Sequence, residues 1–238
     1  MKKVLLCLFT LPALFAGAAQ TLTFPSKDGI TITADLYMLH DSLPYMLLCH
    51  QAGYSRGEYK ETAKRFNKMG FNCMAIDLRS GGEVNGIVNQ TAAEAKKAGK
   101  STEYLDAEQD ILAGLEYLYK KSGKPVALVG SSYSASLVLK IAVANPKVSM
   151  VIAFSPGEYF GKKLTLKKEI EKLDKPVWIA SSTDEKKGCE DLMKNALTGD
   201  KTVFAPAQKG EHGSKALWKS NPSYLDYWMS LFMFLDND

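Results

Sequence analysis

The chain has 238 residues, 46% hydrophobic and 24% charged, with a formal net charge of +4. That composition excludes an intrinsically disordered chain, and the length suits one domain with its own core. The charge is small and no basic stripe is interleaved with aromatics, so nucleic acid is not expected as a partner.

The first eighteen residues read as a secretory signal. Lys2 and Lys3 precede an apolar run, Val4 to Phe15, broken by Pro12, and Ala16-Gly17-Ala18 meets the small-x-small cleavage rule. Cleavage would leave a domain of residues 19–238, periplasmic or secreted. The run is too short to span a bilayer, and no other segment is long and apolar enough, so no stable membrane span is expected after removal. Cys7 leaves with the signal; Cys49, Cys73 and Cys189 remain. With an odd number, no Cys-x-x-Cys and no zinc-type spacing, neither a metal site nor a disulfide framework is expected. Cys49 and Cys73 sit in apolar runs and read as buried free thiols.

Residues 21–24 and 30–38 alternate as two hairpin strands about a turn at Lys27-Asp28-Gly29. Tyr45–Cys49 is a short buried strand. Residues 58–69 carry helical spacing ended by Gly70, and residues 71–76 form the next strand. Residues 83–100 are polar and poorly periodic, which predicts a long loop with at most a short helix. Residues 105–119 predict an amphipathic helix burying Ile111, Leu112, Leu115 and Leu118. Strands follow at Val126, at 149–154, at 177–180 and at 202–205, and a helix over 222–234 closes the chain. Between residues 157 and 174, Leu166, Ile170 and Leu173 keep helical spacing opposite a solvated lysine and glutamate face. Strand and helix alternate and the middle strands are continuously apolar, the pattern of a mainly parallel sheet covered on both faces, with the opening hairpin as an antiparallel edge.

Val126-Ala-Leu-Val-Gly-Ser-Ser-Tyr-Ser-Ala135 runs a strand straight into a helix through Gly130 to Ser134. This is the layout of a nucleophile elbow, a tight turn that lifts a hydroxyl clear of the backbone. The residues two before and two after the nucleophile must be small. Gly130 and Ser134 satisfy that for Ser132, whereas Val129 and Tyr133 fail it for Ser131. Ser134 has small flanks but lies further from the strand. A serine needs a base, and the base needs a partner to hold its tautomer. The expected order on such a sheet is nucleophile, acid, histidine. Of His40, His50 and His212, only His212 follows Ser132. Asp184, just past the strand over 177–180, is the expected acid, with the adjacent Glu185 as the alternative. The oxyanion donors are expected to be the N–H groups of Tyr133 and of Gln51, in the loop after the third strand. His50 is expected to brace that loop. Cys49 beside His50 is a weak reactive pair, because neighbours on a strand face opposite ways.

Leu48-Cys-His-Gln-Ala-Gly-Tyr-Ser-Arg-Gly-Glu-Tyr59, Ala75-Ile-Asp-Leu-Arg-Ser-Gly-Gly82 and Gly130-Ser-Ser-Tyr-Ser134 together resemble alpha/beta hydrolases of the dienelactone hydrolase-like group. The resemblance runs through nearly all of the chain after residue 20. It implies an alpha/beta hydrolase fold with an eight-stranded, mostly parallel sheet and helices on both faces. It also implies hydrolysis of an ester or related acyl compound without a cofactor. By position, Ser132, Asp184 and His212 match the family's triad, and Gln51 and Tyr133 its oxyanion donors. Ser134 stands where the elbow usually has glycine, and Ser132 where the namesake enzymes carry cysteine, so the substrate does not transfer. The expected activity is a serine hydrolase acting on a small-molecule carboxylic ester through an acyl-enzyme. A peptidase or amidase on the same triad, or a hydrolase-fold binding protein without turnover, are the alternatives. Nothing in the sequence fixes the oligomeric state.

Overall fold

The computed structural model describes residues 19–236, so the expected signal lies outside the described residues. Strand β1 (Gln20–Pro25) and β2 (Thr31–Tyr37) form the opening hairpin, followed by β3 (Tyr45–Cys49), α1 (Thr62–Lys68) and β4 (Asn72–Ile76). A two-stranded hairpin, β5 (Glu83–Val84) with β6 (Ile87–Val88), precedes α2 (Gln90–Lys97) and α3 (Glu108–Ser122). Then come β7 (Val126–Ser131), α4 (Tyr133–Ala142), β8 (Val148–Phe154), α5 (Leu166–Glu169), β9 (Val177–Ala180), α6 (Lys186–Met193), β10 (Lys201–Phe204) and α7 (Tyr224–Leu235).

Eight strands make one sheet in the order β1-β2-β4-β3-β7-β8-β9-β10. β1 pairs antiparallel with β2 and β2 with β4, while the remaining neighbours are all parallel. Successive side chains on a strand face opposite ways, and both faces are packed. Leu47, Cys49, Val126, Leu128, Val177 and Ile179 point into the layer holding α3, α4 and α6. Met46, Leu48, Ala127, Val129, Trp178 and Ala180 point the other way, against α1 and α7. The helices therefore cover both faces, as the sequence pattern implies.

Three departures are local. Residues 83–100 hold the short helix that the sequence allows, α2, but also the β5–β6 hairpin, which its pattern does not mark. The Asn89 side chain starts α2 by accepting the Ala92 N–H at 2.7 Å, so a cap supplies what the weak periodicity lacked. On α3, Ile111, Leu115 and Leu118 are buried but Leu112 is 41% exposed, one position around the helix from the core stripe. The helix expected to begin at residue 58 begins at Thr62, after a separate 3-10 turn, Arg56–Tyr59.

The loop after β4 is held by a buried ion cluster. Arg79 bonds Asp110 on α3 at 2.7 Å and Asp28 of the β1–β2 turn at 2.9 Å, and its own N–H reaches Asp110 at 2.8 Å. Arg79 and Asp110 are both buried. Burial pushes the Asp110 carboxyl up, and the Arg79 guanidinium opposes that rise. Removing one partner leaves the other as a poorly matched buried charge. Asp110→Ala is therefore expected to destabilise the fold by about 3–5 kcal/mol in urea unfolding. A loss under about 1 kcal/mol would mean the cluster is not a structural tie.

Candidate active site

β7 delivers Ser132 at its carboxyl end, and α4 begins at the next residue. Ser132 sits at φ +59°, ψ −123°, a region that costs a non-glycine residue about 1–3 kcal/mol. Close packing around the turn enforces it. A Cβ on Gly130 would lie 2.5 Å from the Cα of Ala135, so no larger residue fits. At the other flank Ser134 replaces the usual glycine and uses its hydroxyl. It accepts the Ser131 N–H at 2.9 Å and donates to the Cys49 carbonyl at 2.8 Å, tying the elbow to β3.

His212 lies between β10 and α7, in a loop fastened to the elbow. Gly213 has φ +72°, and a Cβ there would lie 2.7 Å from Ser131 Oγ. Its N–H donates to Ser155 Oγ at 3.0 Å, and the Ser214 N–H donates to Ser131 Oγ at 2.9 Å. Ser132 thus lies one residue, and His212 two residues, from the hydrogen-bonded pair Ser131–Ser214. Among the described residues no hydrogen bond joins the Ser132 hydroxyl to the imidazole, and the Tyr159 hydroxyl donates to the Ser155 carbonyl at 2.7 Å. Catalytic hydrogen bonds are often loose without substrate.

The carboxylate beside His212 belongs to Glu185 and not to Asp184. Glu185 Oε1 is 2.5 Å from His212 Nδ1. Its Oε2 accepts from Ser155 Oγ at 2.7 Å and from the Ser182 hydroxyl at 3.0 Å. Asp184 is exposed and makes no hydrogen bond or ion pair among the described residues. The cause is the turn leaving β9. The Glu185 N–H bonds the Ser182 carbonyl while the Ser182 N–H returns to Glu185 Oε2. That closed turn aims residue 185 inward and residue 184 outward. Burial pushes the Glu185 carboxyl up, but hydrogen bonds from His212 and Ser155 and the imidazole charge outweigh it and hold the group at about 2. It is therefore ionised throughout the neutral range.

Gln51 does not offer its N–H to a ligand. That group donates to Glu58 Oε2 at 2.7 Å. The next N–H in the loop, that of Ala52, meets no acceptor among the described residues. Tyr133 opens α4, and its N–H is one of the first-turn donors that a helix leaves without an internal acceptor. His50 braces the loop as expected. Its Nδ1 pairs with the Gln51 carbonyl at 2.7 Å, and its Nε2 accepts the Leu78 N–H at 2.8 Å, which fixes a neutral ring protonated at Nδ1. Burial lowers its pKa. Cys49, Cys73 and Cys189 are free and buried, and burial raises all three thiols, Cys189 to about 11, so none offers a ready thiolate.

Glu58 is the site residue that the sequence reading missed. A glutamate at an expected helix start is normally a solvated first-turn charge, and no pattern marks this one. The 3-10 turn buries it, and it binds three loops at once. Oε1 accepts from Ser131 at 2.7 Å and from Ser214 at 2.6 Å, and Oε2 takes the Gln51 N–H. Elbow, histidine loop and Gln51 loop thus share one carboxylate. Burial pushes its pKa up, and hydrogen bonds from Ser214, Gln51 and Ser131 pull it back only in part.

Residues 42–203 match the serine aminopeptidase S33 family, a span that contains Gln51, Ser132, Tyr133 and Glu185 and ends before His212. The chain belongs to that family. The fold is shared with an esterase from Pyrococcus furiosus, at TM-score 0.71 and 15% identity over 92% of each chain. It is also shared with a dienelactone hydrolase from Anabaena variabilis, at TM-score 0.68 and 12% identity over 93% of this chain and 99% of that one. A thiohydrolase from Arthrinium phaeospermum is 26% identical over 145 residues, 59% of this chain, and the chain spans only 44% of that relative's length. The alpha/beta hydrolase fold expected from the sequence is therefore shown.

Two outcomes follow for Glu58. Its loss strands three buried donors, two of which can re-pair, so Glu58→Ala should cost about 2–4 kcal/mol of unfolding free energy, and Glu58→Gln less. A folded carboxyl with a raised pKa keeps a proton that the unfolded chain releases, so this group's stabilising contribution falls as pH rises above 4.5. The stability of wild type relative to Glu58→Gln should therefore decrease as pH rises above about 4.5, read by denaturant unfolding. A flat difference would mean that Glu58 titrates normally.

Proposed function

We propose that the protein is a serine hydrolase that cleaves a carboxylic ester through an acyl-enzyme, with Ser132 as nucleophile, His212 as base and Glu185 as the acid that holds it. The observation that carries this reading is the 2.5 Å Glu185–His212 pair on a loop bonded to the strained elbow that presents Ser132. With Nδ1 committed to Glu185, Nε2 is the nitrogen left to take the Ser132 proton. The serine oxygen attacks the carbonyl, and the N–H groups of Tyr133 and Ala52 receive the negative oxygen. Collapse breaks the bond to the alcohol, which leaves with the proton held on His212. Water then gives its proton to His212 and attacks the acyl carbon. The acid departs and Ser132 recovers its proton.

Glu185 is suited to its part because it stays ionised and so stabilises the imidazolium that forms transiently. The family match favours a second substrate class, since the same steps cleave an amide when the leaving group is an amine. Esters of increasing acyl length assayed beside a short peptide panel separate the two.

Ser132→Ala is expected to lower kcat on the order of a million-fold. Glu185→Gln should cost roughly ten-thousand-fold, the effect of a wrong tautomer, whereas Asp184→Asn should stay within about threefold of wild type. If Asp184→Asn were the more damaging change, the acid would be wrongly assigned. A full rate in Ser132→Ala would remove the mechanism.

A further inference from the structure

A cavity of about 280 Å³ lies between the turn before α3 and the loop after β8, and the reaction as proposed does not use it. We propose that it is a substrate subsite that seats one neutral aromatic ring of the ester. This rests on the hydrolase reading and adds a substrate class to it.

The cavity is tied to the candidate triad at two points. Tyr133, next to Ser132, is buried and stacks on Tyr104 of the cavity wall, with ring centroids 4.4 Å apart and planes at 18°. Tyr159 forms another wall, and its hydroxyl donates to the Ser155 carbonyl at 2.7 Å, while Ser155 Oγ accepts the N–H of Gly213, the residue after His212, at 3.0 Å. Ser155 in turn bonds Glu185. The wall is fixed from below. Gly157 exchanges hydrogen bonds with Ser136 of α4, at 2.8 and 3.0 Å. A Cβ on Gly157 would lie 3.2 Å from the Tyr159 ring, so glycine lets the ring lie there.

The lining sets the chemistry. Tyr104, Tyr159, Phe160 and Leu105 supply apolar faces, and Tyr104 remains 37% exposed, an uncovered aromatic surface. The charged lining residues are Glu103 and Lys163, and they pair with each other between the two loops. An ionic group would find no unmatched partner in this lining. A ring gains offset or edge contacts beyond simple apolar burial. A dry cavity of about 150 Å³ already holds benzene, so this one has room for a ring with a short spacer.

The ring can arrive on either side of the ester, and two series of full-length protein assays distinguish them. The acyl series compares ethyl phenylacetate with ethyl cyclohexylacetate. The alcohol series compares benzyl acetate with cyclohexylmethyl acetate. In one series kcat/KM should favour the aromatic member by roughly 2- to 10-fold, the range of aromatic pair contacts. In Tyr104→Leu and Phe160→Leu, which keep apolar bulk, that ratio should fall toward one. Ratios near one in both series for wild type, or ratios that neither variant changes, overturn the subsite. If wild type hydrolyses none of the four esters, the ester reading fails and binding decides the subsite alone. Saturation-transfer NMR with phenylacetate and benzyl alcohol on Ser132→Ala should then give signals that Tyr104→Leu weakens. No saturation, or saturation indifferent to Tyr104, overturns it.

Discussion

The contact between Gly130 and Ala135 is the constraint on which the site depends. Strand β7 and helix α4 meet so closely there that a single methyl group on residue 130 would strike the helix backbone. The chain between them has no relaxed path, and Ser132 takes a conformation that side-chain-bearing residues avoid. Parallel pairing of β7 with β3 and β8 fixes where that turn points. Sheet and helix, each stable through its own buried apolar face, together hold the strain that brings the hydroxyl to the surface of the site.

Around the elbow the fold uses serine hydroxyls and two carboxylates as its ties. Ser131, Ser134, Ser155, Ser182 and Ser214 each bond to a neighbouring loop or strand or to one of those carboxylates. The carboxylates have different tasks because their surroundings differ. Glu185 is partly open, receives the imidazole and stays ionised. Glu58 is sealed in, is pushed toward its neutral form and holds three loops in register. It touches no candidate reacting atom and acts as a positioning residue. A buried polar network of this kind holds a site firmly only when every member is satisfied.

The sheet was legible in the chain because its middle strands are unbroken apolar runs, which suit strands covered on both faces. The elbow at Ser132 was legible because only small flanks fit a tight strand-to-helix turn, and the structure places it at φ +59° between β7 and α4; His212 was singled out by chain order, and it pairs with Glu185. The acid was harder. Asp184 and Glu185 are adjacent, and which of them faces the imidazole depends on how residues 181–185 close on themselves through Ser182. Gln51 failed as an oxyanion donor for a similar reason. Ownership of its N–H is decided by Glu58, seven residues on, which a 3-10 turn folds back beneath the loop. Both errors concern contacts made by irregular turns, where neither the helical nor the strand period applies. Leu112 shows the limit of periodicity itself, since a spacing argument places a helix stripe only to within about one position.

The central claim is that Ser132 alone carries the reactive hydroxyl. A fluorophosphonate traps such a serine covalently, and peptide mapping by mass spectrometry locates the adduct. A single adduct on the peptide spanning residues 126–140, assigned by fragmentation to Ser132 and formed far more slowly in His212→Ala, is the predicted result. An adduct on Ser131 or Ser134, or none at all on folded wild-type protein, would contradict it.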